Sequence, residues 1–314
     1  MSARALGLLL GYAADRVWAD PVRHHPVAWF GTVASRLEQR VWRDDRLAGT
    51  AYAAVLVGGV VLPAAGAERR AGPATRVVTT AAATWLVLGG TSLDREAAAV
   101  QARLEVGDLP GARAQVGRIV GRSTADLDAA GVARAAVESV AENTSDAVVG
   151  ALVWGAVAGL PGLLGFRAAN TLDAMVGHRT ARHDRFGWAG ARLDDVLGLP
   201  GARLTAALAA AAGPDHAGAL RAWRRDAGAH PSPNAGPVEA AFAGALGVTL
   251  GGPTTYGDRT EDRPRLGDGA APTAHDVTRA RRLAARVGLG AAVVSALIAV
   301  RAPTPPLPPR RPRR

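Results

Sequence analysis

The stretch Tyr52–Leu62, YAAVLVGGVVL, decides the fold, because it would be apolar on every face of a helix. It lies inside an uncharged run, Leu47–Ala67, of about 21 residues, which is near the length that spans a bilayer as a helix. A helix on the surface of a soluble protein would carry polar residues on its outer face. The stretch therefore predicts a membrane-spanning helix.

Further apolar runs extend this prediction along the chain. Val77–Leu93 and Ala147–Phe166 are uncharged over about 17 and about 20 residues. Val287–Val300 is shorter and Val196–Pro214 is interrupted by Arg203, so each could be a tilted span, a re-entrant helix or a buried core helix. The alternative is a soluble alanine-rich helical protein, because the mean hydropathy is only +0.08. We favour an all-α, polytopic integral membrane protein with about four to five membrane segments.

The run Ala147–Phe166 is broken at Gly159-Leu160-Pro161-Gly162. Proline between glycines is a natural place for helical backbone to turn. The flanking polar segments, Asp94–Asp146 and Arg167–Asp195, contain six and five Arg, so both should prefer the cytoplasmic side. A single crossing would put them on opposite sides. We therefore expect this run to be re-entrant, or a hairpin of two half-helices.

The chain of 314 residues contains no Cys and no Lys, so all 37 basic side chains are Arg, and the formal net charge is +10. These absences exclude disulfides, thiolate nucleophiles, cysteine zinc sites, Schiff bases and a P-loop with its phosphate-binding Lys. A basic excess often indicates nucleic-acid binding. Here Arg is spread over every polar segment between the apolar runs, which argues against a nucleic-acid partner.

The first polar segment ends in a stripe of carboxylates. Glu138, Glu142 and Asp146 follow one another at spacing four, so they would share one face of a helix, with Asn143 beside them. Like charges at this spacing destabilise a helix unless a cation compensates. Arg134, one turn earlier, is one compensator, and a bound Mg²⁺ is the other, since Mg²⁺ takes one or two carboxylates and keeps other positions for water and phosphate.

The second polar segment carries an amide, carboxylates and Arg. Asn170 and Asp173 are one helical turn apart, Arg179 follows, and Asp194-Asp195 stands directly before the next apolar run. Arg side chains suit phosphate and carboxylate groups. The alternative interpretation of this segment is a solvated basic loop neutralised by anionic lipid.

Two shorter polar motifs flank these segments. His230-Pro-Ser-Pro-Asn234 combines rigid backbone with imidazole, hydroxyl and amide groups ahead of a helix predicted from Pro237. Gly251-Gly252-Pro253 follows, with backbone that another group could approach closely. Near the N-terminus, His25 belongs to a comparable polar island.

The chain resembles the CobD/CbiB family of cobalamin biosynthesis proteins, the adenosylcobinamide-phosphate synthases. The resemblance runs from about Gly11 to about Gly257 and rests on five strings in this order: ADPVRHHPVAWFG (19–31), AVESVAENTSDAVVG (136–150), FRAANTLDAMVGHR (166–179), FGWAGARLDDVLGLPGARLT (186–205) and HPSPNAGPVEAAFAGALGVTLGGP (230–253). It implies an integral membrane ligase that attaches aminopropanol, or its phosphate, to the free propionate of adenosylcobyric acid.

The resemblance also implies ATP as co-substrate and Mg²⁺ as cofactor, and it suggests roles for the polar residues. The expected metal ligands are Glu138, Glu142, Asp146 and Asp173. The expected catalytic residues are His25 as a base, His230, Asn234 and Asn143. The residues expected to bind the co-substrate are Arg179, Asn170, Asp194 and Asp195.

The implied partners are the corrinoid, aminopropanol or its phosphate, ATP and membrane lipid, with other late corrinoid enzymes as candidate protein partners. We expect a multi-pass protein of the bacterial cytoplasmic membrane, with a single membrane-embedded domain over residues 1–302. Residues 303–314 are rich in Pro and Arg, which predicts a disordered cytoplasmic tail. The main alternative function is a membrane transporter or sensor, because acidic residues beside broken helices also describe transport sites.

Overall fold

A computed structural model describes residues 2–21, 25–178, 180–256 and 259–301. The described chain is predominantly helical. Its α-helices are α1 Ala3–Trp18, α2 Pro26–Val41, α3 Arg46–Arg70, α4 Pro73–Val87, α5 Gly90–Glu105, α6 Leu109–Val116, α7 Ala129–Thr144, α8 Gly150–Leu172, α9 Trp188–Ala212, α10 His216–Asp226, α11 Ala235–Leu246 and α12 Ala274–Arg301. The remaining elements are π-helical turns at Ser145–Val149 and Asp173–Gly177, a 3-10 turn at Ala227–Ala229, and strands β1 Leu250–Tyr256 and β2 Arg259–Leu266. The expected tail at 303–314 lies outside the described residues.

Three helical stretches of the described chain are long and apolar enough to cross a membrane: Arg46–Arg70, Ala129–Gly177 and Ala274–Arg301. The first contains the predicted span Leu47–Ala67, and the last contains Val287–Val300. The helical character and these three stretches confirm the predicted class, an all-α membrane protein.

Two other expected segments do not belong to this group. Val77–Leu93 is divided, because α4 ends at Val87 and α5 begins at Gly90. Val196–Pro214 overlaps α9, where Arg203 and many small residues lower the apolar character. Length and lack of charge therefore overstated Val77–Leu93, whereas Val196–Pro214 is helical without being among the three long apolar stretches of the described chain.

Helix α8 is bent into two half-helices at Gly159, whose φ of 67° and ψ of −148° are not helical. Glycine tolerates this backbone conformation far better than other residues do. A side-chain carbon added at Gly150 would collide with the Phe166 ring, and one added at Gly155 would lie 3.3 Å from Leu163. In a straight helix, residues 150 and 166 would be about 24 Å apart. The predicted hairpin of two half-helices is confirmed, while the side to which it returns stays a prediction.

A buried ion pair closes the turn of this hairpin. Arg4 of α1 donates hydrogen bonds to the carbonyl oxygens of Ala156 and Val157, at 3.2 and 3.4 Å, and to Glu68 Oε1 at 3.1 Å. The last carbonyl oxygens of a helix have no partner inside it, so the guanidinium satisfies them. The Glu68 carboxylate lies so close to Gly159 that any side chain there would collide with it.

The described chain forms two compact units, each drawn from separate parts of the sequence. The first comprises the described residues of Met1–Leu88, Gly150–Leu197 and Ala292–Arg314. The second comprises the described residues of Gly89–Val149 and Gly198–Ala291.

In the first unit, α1 packs against α4, and α3 packs against α8. Gly7 and Gly11 of α1 lie directly on Thr80 and Thr84 of α4, which is the close approach that small residues permit between helices. A separate core cluster joins α2, α3 and the end of α8 around the buried Phe186.

In the second unit, α10 packs against α11, and α7 packs against α5, α6 and α11. The sequence predicted only helices, and so it missed the antiparallel pair of strands β1 and β2. Leu250 pairs with Leu266 and Gly252 with Arg263, and the register shifts between Leu250 and Gly252. Gly251 and Gly252 both have positive φ, at 81° and 86°, so glycine is required where the strand begins.

Replacing Glu68 by Gln is expected to destabilise the first unit, because it leaves the buried Arg4 guanidinium without a compensating charge. Breaking a buried ion pair in this way costs about 3 kcal/mol or more. The measurement is the thermal unfolding midpoint of the purified protein in detergent. Arg69→Gln, which removes the charge of an exposed neighbour, should leave the midpoint unchanged. Equal midpoints for Glu68→Gln and the wild type would show that the pair does not hold the turn.

Candidate functional site

The second unit gathers three glutamates, Glu138 and Glu142 of α7 and Glu239 of α11, which we call the acidic cluster. The Glu239 side chain is 2% exposed, and its electrostatic neighbours include the other two glutamates together with Arg122 and Arg263. The cluster thus joins two strings of sequence that are about 90 residues apart.

Glu138 is held by structural partners on both carboxylate oxygens. One oxygen pairs with Arg122, and the other accepts a hydrogen bond of 2.7 Å from the backbone nitrogen of Gly251. Of the two compensators that the sequence left open, Arg134 does not pair with Glu138 but donates to the carbonyl oxygen of Pro253 at 3.2 Å, and the bound Mg²⁺ stays a prediction. The loop before α7 supplies the cation instead, and sequence spacing along the helix could not reveal it.

The predicted stripe is altered at its end by a π-helical turn. Helix α7 ends at Thr144, and Asp146 lies in the π-helical turn Ser145–Val149. A π-helical turn holds more residues than an α-helical one, so the spacing-four rule does not place Asp146 in line with Glu138 and Glu142. Such turns frequently occur at functional sites.

Among the described residues, no group of three or more His, Asp or Glu side chains is arranged to hold a metal ion. Glu142 is exposed and Asp146 is half-buried, so a site made from one or two carboxylates remains compatible with Mg²⁺ chemistry. The magnesium site therefore stays a prediction. Asn143, expected beside it, donates through its amide to the carbonyl oxygen and Oγ of Ser139.

Glu239 is a residue that the sequence interpretation missed. Burial raises its pKa well above the usual value, and the charges of Glu138 and Glu142 raise it further. The carboxyl group is therefore held in its neutral form, which can donate a hydrogen bond. A single charged residue inside the apolar string VEAAFAGAL was the signal that could have identified it.

His230 lies beside Glu239 and is nearly fully buried. Its Nδ1 accepts a hydrogen bond of 3.0 Å from the backbone nitrogen of Ser232, so in the neutral ring the proton is on Nε2. Nε2 is 3.8 Å from Glu239 Oε1 and has no hydrogen-bond partner among the described residues. Burial lowers the pKa of His230, and the charge of Arg263 lowers it further. The ring thus presents a neutral N–H group to the cluster.

Asn234 directly precedes α11 and is fixed by two neighbours. Its Oδ1 accepts a hydrogen bond of 3.1 Å from Arg203, which also donates to the carbonyl oxygen of Pro233 at 2.8 Å. Its amide nitrogen lies on Gly198 so closely that a side chain there would collide with it. Gly198, the first residue of its GLPG motif, thus leaves the space that the Asn234 amide occupies. The sequence did not suggest this role.

In the first unit, the structure brings together four of the residues expected from the second polar segment. Asn170 donates to Asp194 at 3.3 Å, and Asp195 accepts from Arg192 at 2.9 Å. Asp195 is also an electrostatic neighbour of Asp173. Arg179, expected at the same place, lies outside the described residues.

His25 is the residue that caps the N-terminus of α2 in the first unit. Its Nδ1 accepts from the backbone nitrogen of Val27 at 3.1 Å, and its Nε2 lies 3.4 Å from Asp20 Oδ2. Burial lowers the pKa of His25; Asp20 opposes this shift and Arg167 adds to it. With Nδ1 occupied, the neutral ring offers an N–H donor rather than a free basic nitrogen. The role of general base, expected for His25, is not favoured by this geometry and stays untested.

Comparison with known proteins assigns the chain to a family. The family described as CobD/Cbib protein matches residues 8–284, so the chain belongs to the CobD/CbiB family. The Mycobacterium tuberculosis relative named cobalamin biosynthesis protein CobD is 51% identical over 302 residues, covering 95% of this chain and 96% of the relative.

Two further relatives carry the same name. The Rhodobacter capsulatus protein is 46% identical over 283 residues, covering 88% of this chain and 90% of its own. The Chromobacterium violaceum protein is 44% identical over 292 residues, covering 90% and 92%. No solved structure matches the chain.

Gly198→Ala is expected to dislodge Asn234, because the added methyl group would occupy the position of the Asn234 amide. Overpacking of this kind typically costs about 1–3 kcal/mol, which should lower the thermal unfolding midpoint. Gly228→Ala is the matched control, since a side-chain carbon there meets no atom within 4 Å. If both variants unfold at the same temperature, Gly198 does not seat Asn234.

His230 predicts a pH dependence of stability. Because its pKa is lower in the folded protein than the usual 6.5, the unfolded chain gains a proton first as the pH falls. Its contribution to stability is complete above about pH 6.5 and is lost progressively below that value. As the pH falls from about 7.5 to about 5.5, the unfolding free energy of His230→Gln should therefore decrease less than that of the wild type. An unchanged loss in His230→Gln would contradict the prediction.

Proposed function

We propose that this chain acts in cobalamin biosynthesis as an adenosylcobinamide-phosphate synthase. It attaches aminopropanol, or its phosphate, to the free propionate of adenosylcobyric acid. Membership in the CobD/CbiB family supports this role, as do the relatives named for cobalamin biosynthesis. The structural observation that supports the proposal is the meeting of Glu138, Glu142, Glu239 and His230, from two strings of the family resemblance, in one cluster in which all but Glu142 are buried.

The reaction we propose is an ATP-dependent ligation. A carboxylate does not form an amide with an amine at neutral pH unless its oxygen is first converted into a leaving group. Transfer of the γ-phosphoryl group of ATP to the propionate yields an acyl phosphate and ADP. The amine then attacks the acyl carbon, forms the amide and releases phosphate. Such chemistry depends on positioning and on stabilising charge at the phosphoryl oxygens.

The acidic cluster divides this work among its residues. Glu142 and Asp146, the more accessible carboxylates, are the proposed Mg²⁺ ligands, and Glu138 orients Arg122 and the Gly251 backbone. When bound, Mg²⁺ would neutralise charge on the transferred phosphoryl group. The donor chemistry fits, because Mg²⁺ binds through one or two carboxylates and the substrate phosphates.

Neutral donors beside the cluster suit the phosphoryl oxygens. Among the described residues, the Nε2–H of His230 has no hydrogen-bond partner, and Asn234, which directly precedes α11, contributes an amide held by Arg203. Neutral donors add hydrogen bonds without adding charge to a region that already contains two cations, Arg122 and Arg263. In the first unit, Asn170, Asp173, Asp194 and Asp195 remain candidates for substrate contacts, and Arg179 keeps its proposed role of binding phosphate.

The membrane setting completes the proposal. The apolar stretches support a multi-pass protein of the cytoplasmic membrane, with lipid around it and the corrinoid, the amine and ATP as small-molecule substrates. We propose no nucleic-acid partner. The half-helices at Gly159 also resemble the broken helices of transporters, so the test must separate the two functions.

The deciding assay combines the purified protein with adenosylcobyric acid, ATP, Mg²⁺ and either amine donor, and measures product mass. A synthase yields the amide, and Glu142→Gln and Asp146→Asn should each lower kcat by about 10-fold or more and raise the Mg²⁺ concentration required. Glu105→Gln, at an exposed carboxylate of α5, should retain wild-type activity. Movement of corrinoid across vesicles without any covalent product would favour the transporter and contradict the synthase.

A further inference from the structure

A groove of about 350 Å³ lies between the end of α2 and the start of α3 in the first unit; we call it the α2–α3 groove. Its lining is largely apolar and includes Leu37 and Val41 of α2 and Ala48 and Val55 of α3. The volume is near the lower limit of ligand sites, which is about 300 Å³. The proposed ligation chemistry uses none of these residues.

The two helices give the groove a direction. The Tyr52 hydroxyl of α3 donates a hydrogen bond of 3.2 Å to the carbonyl oxygen of Ala34 in α2, so α3 runs back beside α2 from the connection between them. The lining residues from Ala48 to Val55 cover about 10 Å of α3. One end of the groove is therefore at the α2–α3 connection, and the other end lies along the helix that can cross a membrane.

The α3 side of the groove belongs to an exposed apolar face. Ala51 and Val55 line the groove and are exposed, Val55 by 63%. Leu47 and Leu62, which are 76% and 73% exposed, lie on the same face of the helix because the spacings are four, four and seven residues. Since α3 is long and apolar enough to span a bilayer, this face would contact hydrocarbon chains. The groove opens onto that face.

Two arginines line the groove where the helices connect. Arg40 is in the last turn of α2, and Arg43 lies between the two helices. Both are exposed, and neither forms an ion pair with a carboxylate of the described residues. The carboxylates nearby have other partners: Glu38 and Asp44 pair with arginines of the segment before α9, and Asp45 caps α3. The connection thus presents two positive charges that the described protein does not neutralise.

We propose that the α2–α3 groove binds one anionic phospholipid, with its phosphate group at Arg40 and Arg43 and an acyl chain along Ala51 and Val55. Arginine suits phosphate through its fork of N–H donors, and basic side chains next to a membrane-spanning helix attract anionic lipid. A soluble phosphate compound would meet the two charges but would leave the apolar lining uncovered. The proposal depends on the membrane class of the protein and is independent of the ligation reaction.

The test is native mass spectrometry of the full-length protein released from detergent, with lipids added at known concentrations. The probes are phosphatidylglycerol, phosphatidylcholine with the same acyl chains, and glycerol phosphate, which has the anionic group without the chains. The first molecule of phosphatidylglycerol should bind to the wild type about 10-fold or more tightly than phosphatidylcholine, because two arginines attract its net negative charge. Glycerol phosphate should not bind in the same concentration range.

Variants of the two parts of the groove separate their contributions. The double variant Arg40→Gln and Arg43→Gln should bind phosphatidylglycerol about as weakly as phosphatidylcholine. Ala51→Trp should weaken the binding of both lipids, because the indole ring would fill the apolar part of the groove. The matched control is the double variant Arg69→Gln and Arg70→Gln, which removes the same charge from exposed residues at the other end of α3 and should keep the wild-type preference.

Four outcomes would overturn the proposal. Equal affinity of the wild type for the two lipids would show that the groove does not select an anion. An equal loss of phosphatidylglycerol binding in both double variants would show attraction by net charge alone. Unchanged lipid binding in Ala51→Trp would exclude an acyl chain from the groove. Glycerol phosphate that binds as tightly as phosphatidylglycerol, and only when the two groove arginines are present, would assign them to a soluble phosphate compound.

Discussion

The first unit depends on the buried pair of Arg4 and Glu68 at the turn of α8. Where α8 breaks at Gly159, backbone carbonyl oxygens lose their helical partners, and in an apolar environment no water replaces them. The guanidinium satisfies two of these oxygens, and the carboxylate balances its charge. The second half-helix can then return along the first. That half-helix carries Asn170 to Asp194, so the position of these polar residues follows from the pair.

In the second unit, the acidic cluster is subject to the same constraint, that a buried polar group needs a partner. Buried carboxylates are costly unless they are paired or neutral, and the acidic cluster uses both solutions. Glu138 is paired with Arg122 and a backbone amide, whereas burial and like charges keep Glu239 neutral. His230 is also held neutral. The result is a polar cluster whose buried carboxyl groups are either paired or neutral.

Prediction from sequence succeeded where the signal was local. Complete lack of charge indicated the helix at Tyr52–Leu62, and proline between glycines located the break at Gly159. It failed where partners come from distant segments. Arg122 rather than Arg134 pairs with Glu138, because the partner in an ion pair depends on distance in the folded protein. Spacing along one helix does not give that distance. The π-helical turn at Asp146 also escaped prediction, since one extra residue in a turn leaves no mark in a pattern of carboxylates.

The sequence alone determined the helical membrane class, the broken helix and, through the resemblance of its strings, the family. These properties follow from local polarity, backbone preference and long matching strings. Only the tertiary structure decided which residues meet. It placed Glu239 beside Glu138 and His230, and it brought Asn170 within hydrogen-bonding distance of Asp194. A linear sequence contains no distances, and the energies of buried charges depend on the distance and burial that folding creates.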